Sequence, residues 1–200
     1  MDMSNVVAVT NRWLLPDNKA DDKEALLMQI KRLAKSNIRF IILREKDLSE
    51  NEYEKLAIKA IDICKTYNKC LVLHTYVNVA LRLNHPYIHL PFPILLKYDK
   101  DYFSSFKITG VSIHSKEEAE KAENWGATYI TAGHIYATDC KKDVPPRGIE
   151  WLENITASVS IPVYAIGGIN NEDNINSILS AGAAGGCMMS YAMSKFYIDS

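Results

Sequence analysis

The 200-residue chain has no apolar run near the ~20 residues that a membrane-spanning helix needs. Its opening residues, Met1-Asp2-Met3-Ser4-Asn5, are polar and lead straight into an apolar run. They form neither a basic n-region nor a long apolar h-region. A cytoplasmic protein without a membrane partner is expected. Cysteine is sparse. Cys64, Cys70, Cys140 and Cys187 lie far apart with no C-x-x-C pair, which argues against a zinc site or a disulfide framework. Neither sign of charge dominates, since the formal net charge is -1. That balance excludes broad binding to nucleic acid or an anionic membrane, though not a local basic site. No linker, low-complexity tract or long internal repeat divides the chain, so residues 1–200 are read as a single domain.

What is present is an ordinary globular composition, with 48% hydrophobic and 24% charged residues, enough for a sizeable core. Apolar runs at 6–9, 38–43, 70–73, 87–90, 108–113, 127–132, 161–166 and 184–189 read as strands. Helical stripes fall between them. Asp21 and Glu24 have capping-box spacing before Leu26, Leu27, Ile30, Leu33 and Ala34, and Ser49 with Glu52 and Ser115 with Glu118 repeat the pair. Residues 148–155 and the stripe Ile175, Ile178 and Leu179 read as further helices, and a short helix closes the chain. Residues 91–106 and 139–147 are the least regular. Alternating strands and helices imply a parallel sheet. Eight such units close into a (β/α)₈ barrel, whose size range begins near this length. A doubly wound open sheet is the alternative.

Active sites of such barrels lie at the C-terminal ends of the strands. That rule selects Arg44, Glu45 and Lys46 after the second strand, His74 and Thr75 after the third, and His114 after the fifth. It selects His134 after the sixth, Gly167 and Gly168 after the seventh, and Met189 and Ser190 at the eighth. A glycine pair lets backbone N–H groups approach an anion closely. With Met189-Ser190 it marks the loops where barrels often bind phosphate, although it also reads as a plain turn. Arg44 and Lys46 are candidates to clamp a second anionic group, or part of a solvated charge run. His114 precedes a helix cap and reads as structural. His89, just before Pro91, reads as packed or partly exposed, and His85 carries no signal.

Residues 127–142 are the most informative. A β-rich run stops at Gly133, His134 follows at once, and a polar, basic loop carries Thr138, Asp139, Cys140, Lys141 and Lys142. An imidazole at a strand end, beside hydroxyl and ammonium donors, suits proton transfer on an anionic substrate. The same residues also read as a strand followed by a solvated loop.

Together these segments resemble the thiamine phosphate synthase/TenI superfamily over nearly the whole chain. The resemblance rests on Val9-Thr10-Asn11-Arg12, Leu43-Arg44-Glu45-Lys46, Gly110-Val111-Ser112-Ile113-His114-Ser115, residues 165–169 and Gly182-Ala183. It implies a barrel and one of two activities. Synthases of the superfamily join a pyrimidine diphosphate to a thiazole phosphate with Mg²⁺. Their third strand usually ends Asn-Asp-Arg-Val-Asp, where this chain has His74-Thr75-Tyr76-Val77-Asn78. Their Gly-Gln-x-Asp after the fourth strand aligns with Pro91-Phe92-Pro93-Ile94. Both metal-binding carboxylates are replaced, and Mg²⁺ prefers hard oxygen ligands. A Gln that often precedes Leu-Arg-Glu-Lys is Ile42 here.

After the sixth strand, Gly133-His134, Thr138-Asp139-Cys140-Lys141-Lys142 and Arg147-Gly148 look like TenI, the thiazole tautomerase, where synthases have Gly-Pro. That resemblance implies a cofactor-free isomerase with no metal site, acting on a carboxythiazole phosphate with an exocyclic ylidene group. One proton leaves ring carbon C2, another reaches the exocyclic carbon, and the ring becomes aromatic. His134 is expected to move protons. Gly167, Gly168, Met189 and Ser190 are expected to hold the phosphate. Arg44, Lys46, Thr138 and Lys141 are expected to contact the anionic groups, and Cys140 the thiazole. A homodimer is also expected, because a short C-terminal helix leaves the barrel bottom thinly covered. The alternatives are a thiamine phosphate synthase with an atypical metal site and a non-catalytic, regulatory TenI-like barrel.

Overall fold

Eight parallel strands pair in the order β1-β2-β3-β4-β5-β6-β7-β8, and β8 closes back on β1. The expected barrel is thus present and the open sheet is not. This computed structural model describes residues 2–16, 23–138 and 144–194. The Asp21 cap and the candidates Cys140 and Lys141 lie outside the described residues. The strands are β1 (Val6–Val9), β2 (Phe40–Leu43), β3 (Leu71–His74), β4 (Tyr87–Pro91), β5 (Ile108–Ile113), β6 (Tyr129–Gly133), β7 (Val163–Ile166) and β8 (Gly185–Met188). The helices are α1 (Lys23–Lys35), α2 (Glu50–Thr66), α3 (Val77–Arg82), α4 (Phe92–Leu95), α5 (Lys116–Asn124), α6 (Gly148–Thr156), α7 (Glu172–Ser180) and α8 (Ser190–Ser194).

Sequence spacing accounts for most of these bounds. Ser49 Oγ accepts from Glu52 N–H while Glu52 accepts from Ser49 N–H at 3.1 Å, a complete capping box that starts α2. Tyr53, Leu56, Ala57, Ala60, Ile61 and Cys64 then form its buried stripe. Ser115 caps α5 by accepting from Glu118 N–H, and Asn171 caps α7 by accepting from Asn174 N–H. Inside the barrel, Val7, Val9, Ile42, Val72, Tyr129, Tyr164 and Cys187 make a plug of their own, separate from the larger core under the helices. Phe40, Tyr129 and Tyr164 meet edge to face at 5.4–5.6 Å, so the lower barrel is packed and any ligand space is confined to the upper end.

Two expectations shift. Residues 91–106 are not irregular, since they hold α4 and a 3-10 turn, Lys100–Ser105. Proline hid that regularity, although Pro at a helix N-terminus costs nothing. His74 is also the last residue of β3 and not a loop residue after it. No helix among the described residues is long and apolar enough to cross a membrane.

Candidate active site

The strand ends surround a cavity of about 940 Å³, open at the top of the barrel. Its walls include Arg44, Lys46, His74, His89, His134 and Thr138, and on the far side Gly167, Gly168, Met189 and Ser190. The structure therefore brings together every candidate among the described residues. Among the described residues, no Asp or Glu is part of this lining.

His134 lies directly after β6 and is only 4% exposed. Its carbonyl accepts from Arg147 N–H at 3.0 Å. Its Nε2 lies 3.1 Å from the Val144 carbonyl. A carbonyl can only accept, so Nε2 donates to Val144 and Nδ1 is the ring nitrogen without that bond.

Gly167 explains how His134 is seated. Its φ of 101° is a left-handed value, and a Cβ there would collide with the Cα and Cβ of His134. Gly168, at φ 71°, leaves similar room for Tyr136 and the Ala137 carbonyl. The pair is thus required by packing of the segment after β6, a role its spacing did not reveal. Gly167→Ala is expected to cost about 1–3 kcal/mol through strain and overlap and to displace His134. Urea unfolding checks this, and unchanged stability would mean that the neighbouring segment yields.

The charge run after β2 divides. Glu45 turns inward and is 2% exposed. It accepts from Thr10 Oγ at 2.7 Å, from Arg12 N–H at 3.2 Å and from the Arg12 guanidinium at 3.0 Å. Burial pushes its carboxyl upward while these donors pull it down. Arg12 also grips Asp47 through two bonds, which holds that half-exposed carboxyl down at about 2. Thr10 Oγ in turn accepts from Arg44 N–H at 2.9 Å, so the buried network fixes the backbone that carries Arg44. The Arg44 guanidinium lies 4.0 Å from Met189 Sδ, just after β8, and the charges of both Arg44 and Lys46 act on His74.

The pocket floor is a hydrogen-bonded row that the sequence did not single out. His89 is buried, with Nδ1 2.9 Å from Tyr129 OH and Nε2 2.7 Å from Ser112 Oγ. Thr131 donates to Ser112 Oγ at 3.0 Å, which frees the Ser112 hydroxyl to donate to His89 Nε2. Gly110 permits this row, because a Cβ there would collide with His89 Nδ1 and the Tyr129 ring. His74 stacks on His89 with ring centroids 5.4 Å apart. Burial pushes His89 down to about 3, helped by Lys46. Burial, then His89, Lys46 and Arg44, hold His74 well below the ordinary imidazole range. Both floor imidazoles are neutral at neutral pH. The clue in the sequence was the alternation of β4, which turns His89 inward with Tyr87.

His114 is exposed, with Nδ1 3.1 Å from the Gly133 carbonyl and its N–H donated to Glu118. Its position also places it in the lining of the cavity. His85, half-buried, reaches the Leu71 carbonyl at 2.7 Å.

Residues 13–192 match the family profile described as thiamine monophosphate synthase. The chain belongs to that family. A thiamine-phosphate synthase of Clostridium acetobutylicum is 36% identical over 86% of this chain and 82% of its own length. A thiamine-phosphate synthase of Caldanaerobacter subterraneus is also 36% identical, over 89% of this chain and 81% of its own. Among solved structures, a thiamine phosphate pyrophosphorylase from Pyrococcus furiosus superposes with a TM-score of 0.75 at 26% identity, covering 96% of both chains. These relatives carry the synthase name and not the tautomerase name that the His134 segment resembles.

Synthases of the family need Mg²⁺ by the resemblance drawn above, and the residues present here do not fit that ion. Thr75 and Ile94 stand where carboxylates are expected, and no carboxylate belongs to the lining described. Glu45, buried beside it, is already held by Arg12 and Thr10. Lys46 and Arg44 add positive charge beside His74 at the end of β3. Among the described residues no group of three His, Cys, Asp or Glu side chains is arranged to hold a metal.

Proposed function

We propose that this family member is a metal-independent thiazole tautomerase that moves protons on a carboxythiazole phosphate. One observation carries the reading. His134 lines the pocket with its proton pinned on Nε2 by Val144, in a cavity whose described lining has cations and imidazoles but no carboxylate. Nδ1 serves as the base toward ring carbon C2 and, once protonated, as the acid toward the exocyclic carbon. The phosphate is assigned to the side formed by Gly167, Gly168, Met189 and Ser190. Arg44 is assigned to the same side because it leans on Met189. Thr138 lies on the rim beside them, and Cys140 and Lys141 belong to the segment that follows it.

A second reading, thiamine phosphate synthesis, is favoured by the names of the relatives at 36% identity. A third is a binding barrel without catalysis. One assay separates them. The protein is mixed with the ylidene tautomer, and separately with thiazole phosphate, pyrimidine diphosphate and Mg²⁺. The expected result is aromatisation of the tautomer at a rate unchanged by EDTA, and no thiamine phosphate. Turnover abolished by EDTA and restored by Mg²⁺, with thiamine phosphate formed, would establish the synthase reading. No turnover in either mixture would leave the binding barrel.

A further inference from the structure

The pocket has a second polar end, which the chemistry above leaves unused. In a closed ring of eight strands, β3 stands opposite β7. The end of β7 carries Gly167 and Gly168, and the end of β3 carries His74. A ligand whose phosphate sits by the glycines therefore points its far side toward His74.

His74 is held in place from three directions. Tyr53, buried in α2, accepts from His74 N–H at 2.8 Å and donates to the Leu43 carbonyl at 2.7 Å, tying the ends of β2 and β3 to one phenol. The ring stacks on His89. Thr75 Oγ lies 2.6 Å from His74 Nδ1. To place that hydroxyl, a β-branched residue adopts φ 70°, a left-handed value that such residues rarely take. With Nδ1 engaged by Thr75, Nε2 is the ring nitrogen open to a ligand.

We propose that His74 is a specificity-determining residue, donating from Nε2 to a carboxylate on the ligand ring at the end remote from the phosphate. This rests on the thiazole phosphate reading for the identity of the ring. When the Thr75 hydroxyl donates into Nδ1, the single proton of the neutral ring resides on Nε2. Lys46, whose charge acts on His74, supplies the attraction that a neutral donor lacks. A site built to hydrogen-bond a substituent rejects the analogue without it, because the donor is then left buried and unpaired. The third-strand change that removes a metal carboxylate thus supplies a direct anion contact in its place.

The test is calorimetric titration with two probes, the aromatic carboxythiazole phosphate and the same thiazole phosphate lacking the carboxylate. Wild-type protein is expected to prefer the first. His74→Phe keeps a flat ring and should weaken the carboxylated probe roughly ten- to a hundredfold, with the other probe unchanged. Thr75→Ser should keep the preference. Thr75→Gly accepts the backbone angle without strain, so the protein stays folded but loses most of the preference. If His74→Phe does not fold, the Ser and Gly variants of Thr75 carry the test. Equal weakening of both probes by His74→Phe, or full preference in Thr75→Gly, would overturn the inference. Failure of the wild type to bind either probe would overturn it together with the thiazole reading. Intact discrimination without tautomerase turnover would support it and overturn only the proposed activity.

Discussion

His134→Gln is expected to lose roughly 10²–10⁴-fold of the tautomerase rate, the usual contribution of a positioned acid–base group. The substitution isolates one property. A glutamine amide can still donate to the Val144 carbonyl that His134 Nε2 meets at 3.1 Å. The backbone bond from Arg147 to the His134 carbonyl does not involve the side chain. Folding and phosphate binding should therefore persist, and only the basic nitrogen disappears. Aromatisation of the ylidene thiazole, followed by proton NMR, gives the rate. Affinity for the aromatic product, measured alongside, should change by less than about threefold, since a threefold change is only about 0.6 kcal/mol. A variant that turns over at the wild-type rate would remove His134 from the chemistry. A variant with the same loss in product affinity would mean that the ring binds and does not move protons.

The second large effect is on stability in mild acid, and its sign follows from the floor histidines. His89 is pushed down to about 3 from an ordinary value of 6.5, and His74 and His85 are also held down by burial. In the unfolded chain these rings take protons as pH falls through 6.5, whereas His89 in the folded barrel does not until about 3. Stability is thus complete above 6.5 and declines between 6.5 and 3. The carboxylates contribute in a separate window. Asp47 and Glu52 are held down at about 2 from ordinary values of 3.8 and 4.5, so what they add is lost only below those ordinary values. The range from 6.5 to 4.5 therefore reports the histidines together with Glu45, whose raised carboxyl acts there in the opposite sense. At 1.36 kcal/mol per unit, His89 alone should remove about 2–3 kcal/mol across that range, against the 5–15 kcal/mol of a typical domain. Urea midpoints at the two pH values measure it, and His89→Gln should flatten the slope. Equal midpoints in the wild type would show that the floor takes up protons while folded.

The barrel was legible in the sequence because its signals are local. A capping pair such as Ser49 and Glu52, followed by a stripe at helical spacing, declares α2 before any tertiary contact forms. Eight apolar runs of strand length alternating with such stripes leave few topologies open. The strand-end rule then located His134, Arg44, Lys46 and the glycine pair at the top of the barrel, where one cavity gathers them.

Direction and partnership were not legible, because they depend on which neighbour each side chain meets after closure. Arg44, Glu45 and Lys46 are consecutive, yet Glu45 is buried against Arg12 from the end of β1 while Arg44 leans on Met189 from β8. His89 read as packed or partly exposed, and strand alternation and register place it between Tyr129 and Ser112, where burial strips its charge. Gly167 read as an anion contact or a plain turn, and closure shows that it also leaves the space that His134 occupies. By itself the sequence determined the fold and the ring of residues around the pocket, through local propensity and period. Only the tertiary structure decided which of those residues are neutral, which are paired and which face a ligand, because burial and contact between distant segments set all three.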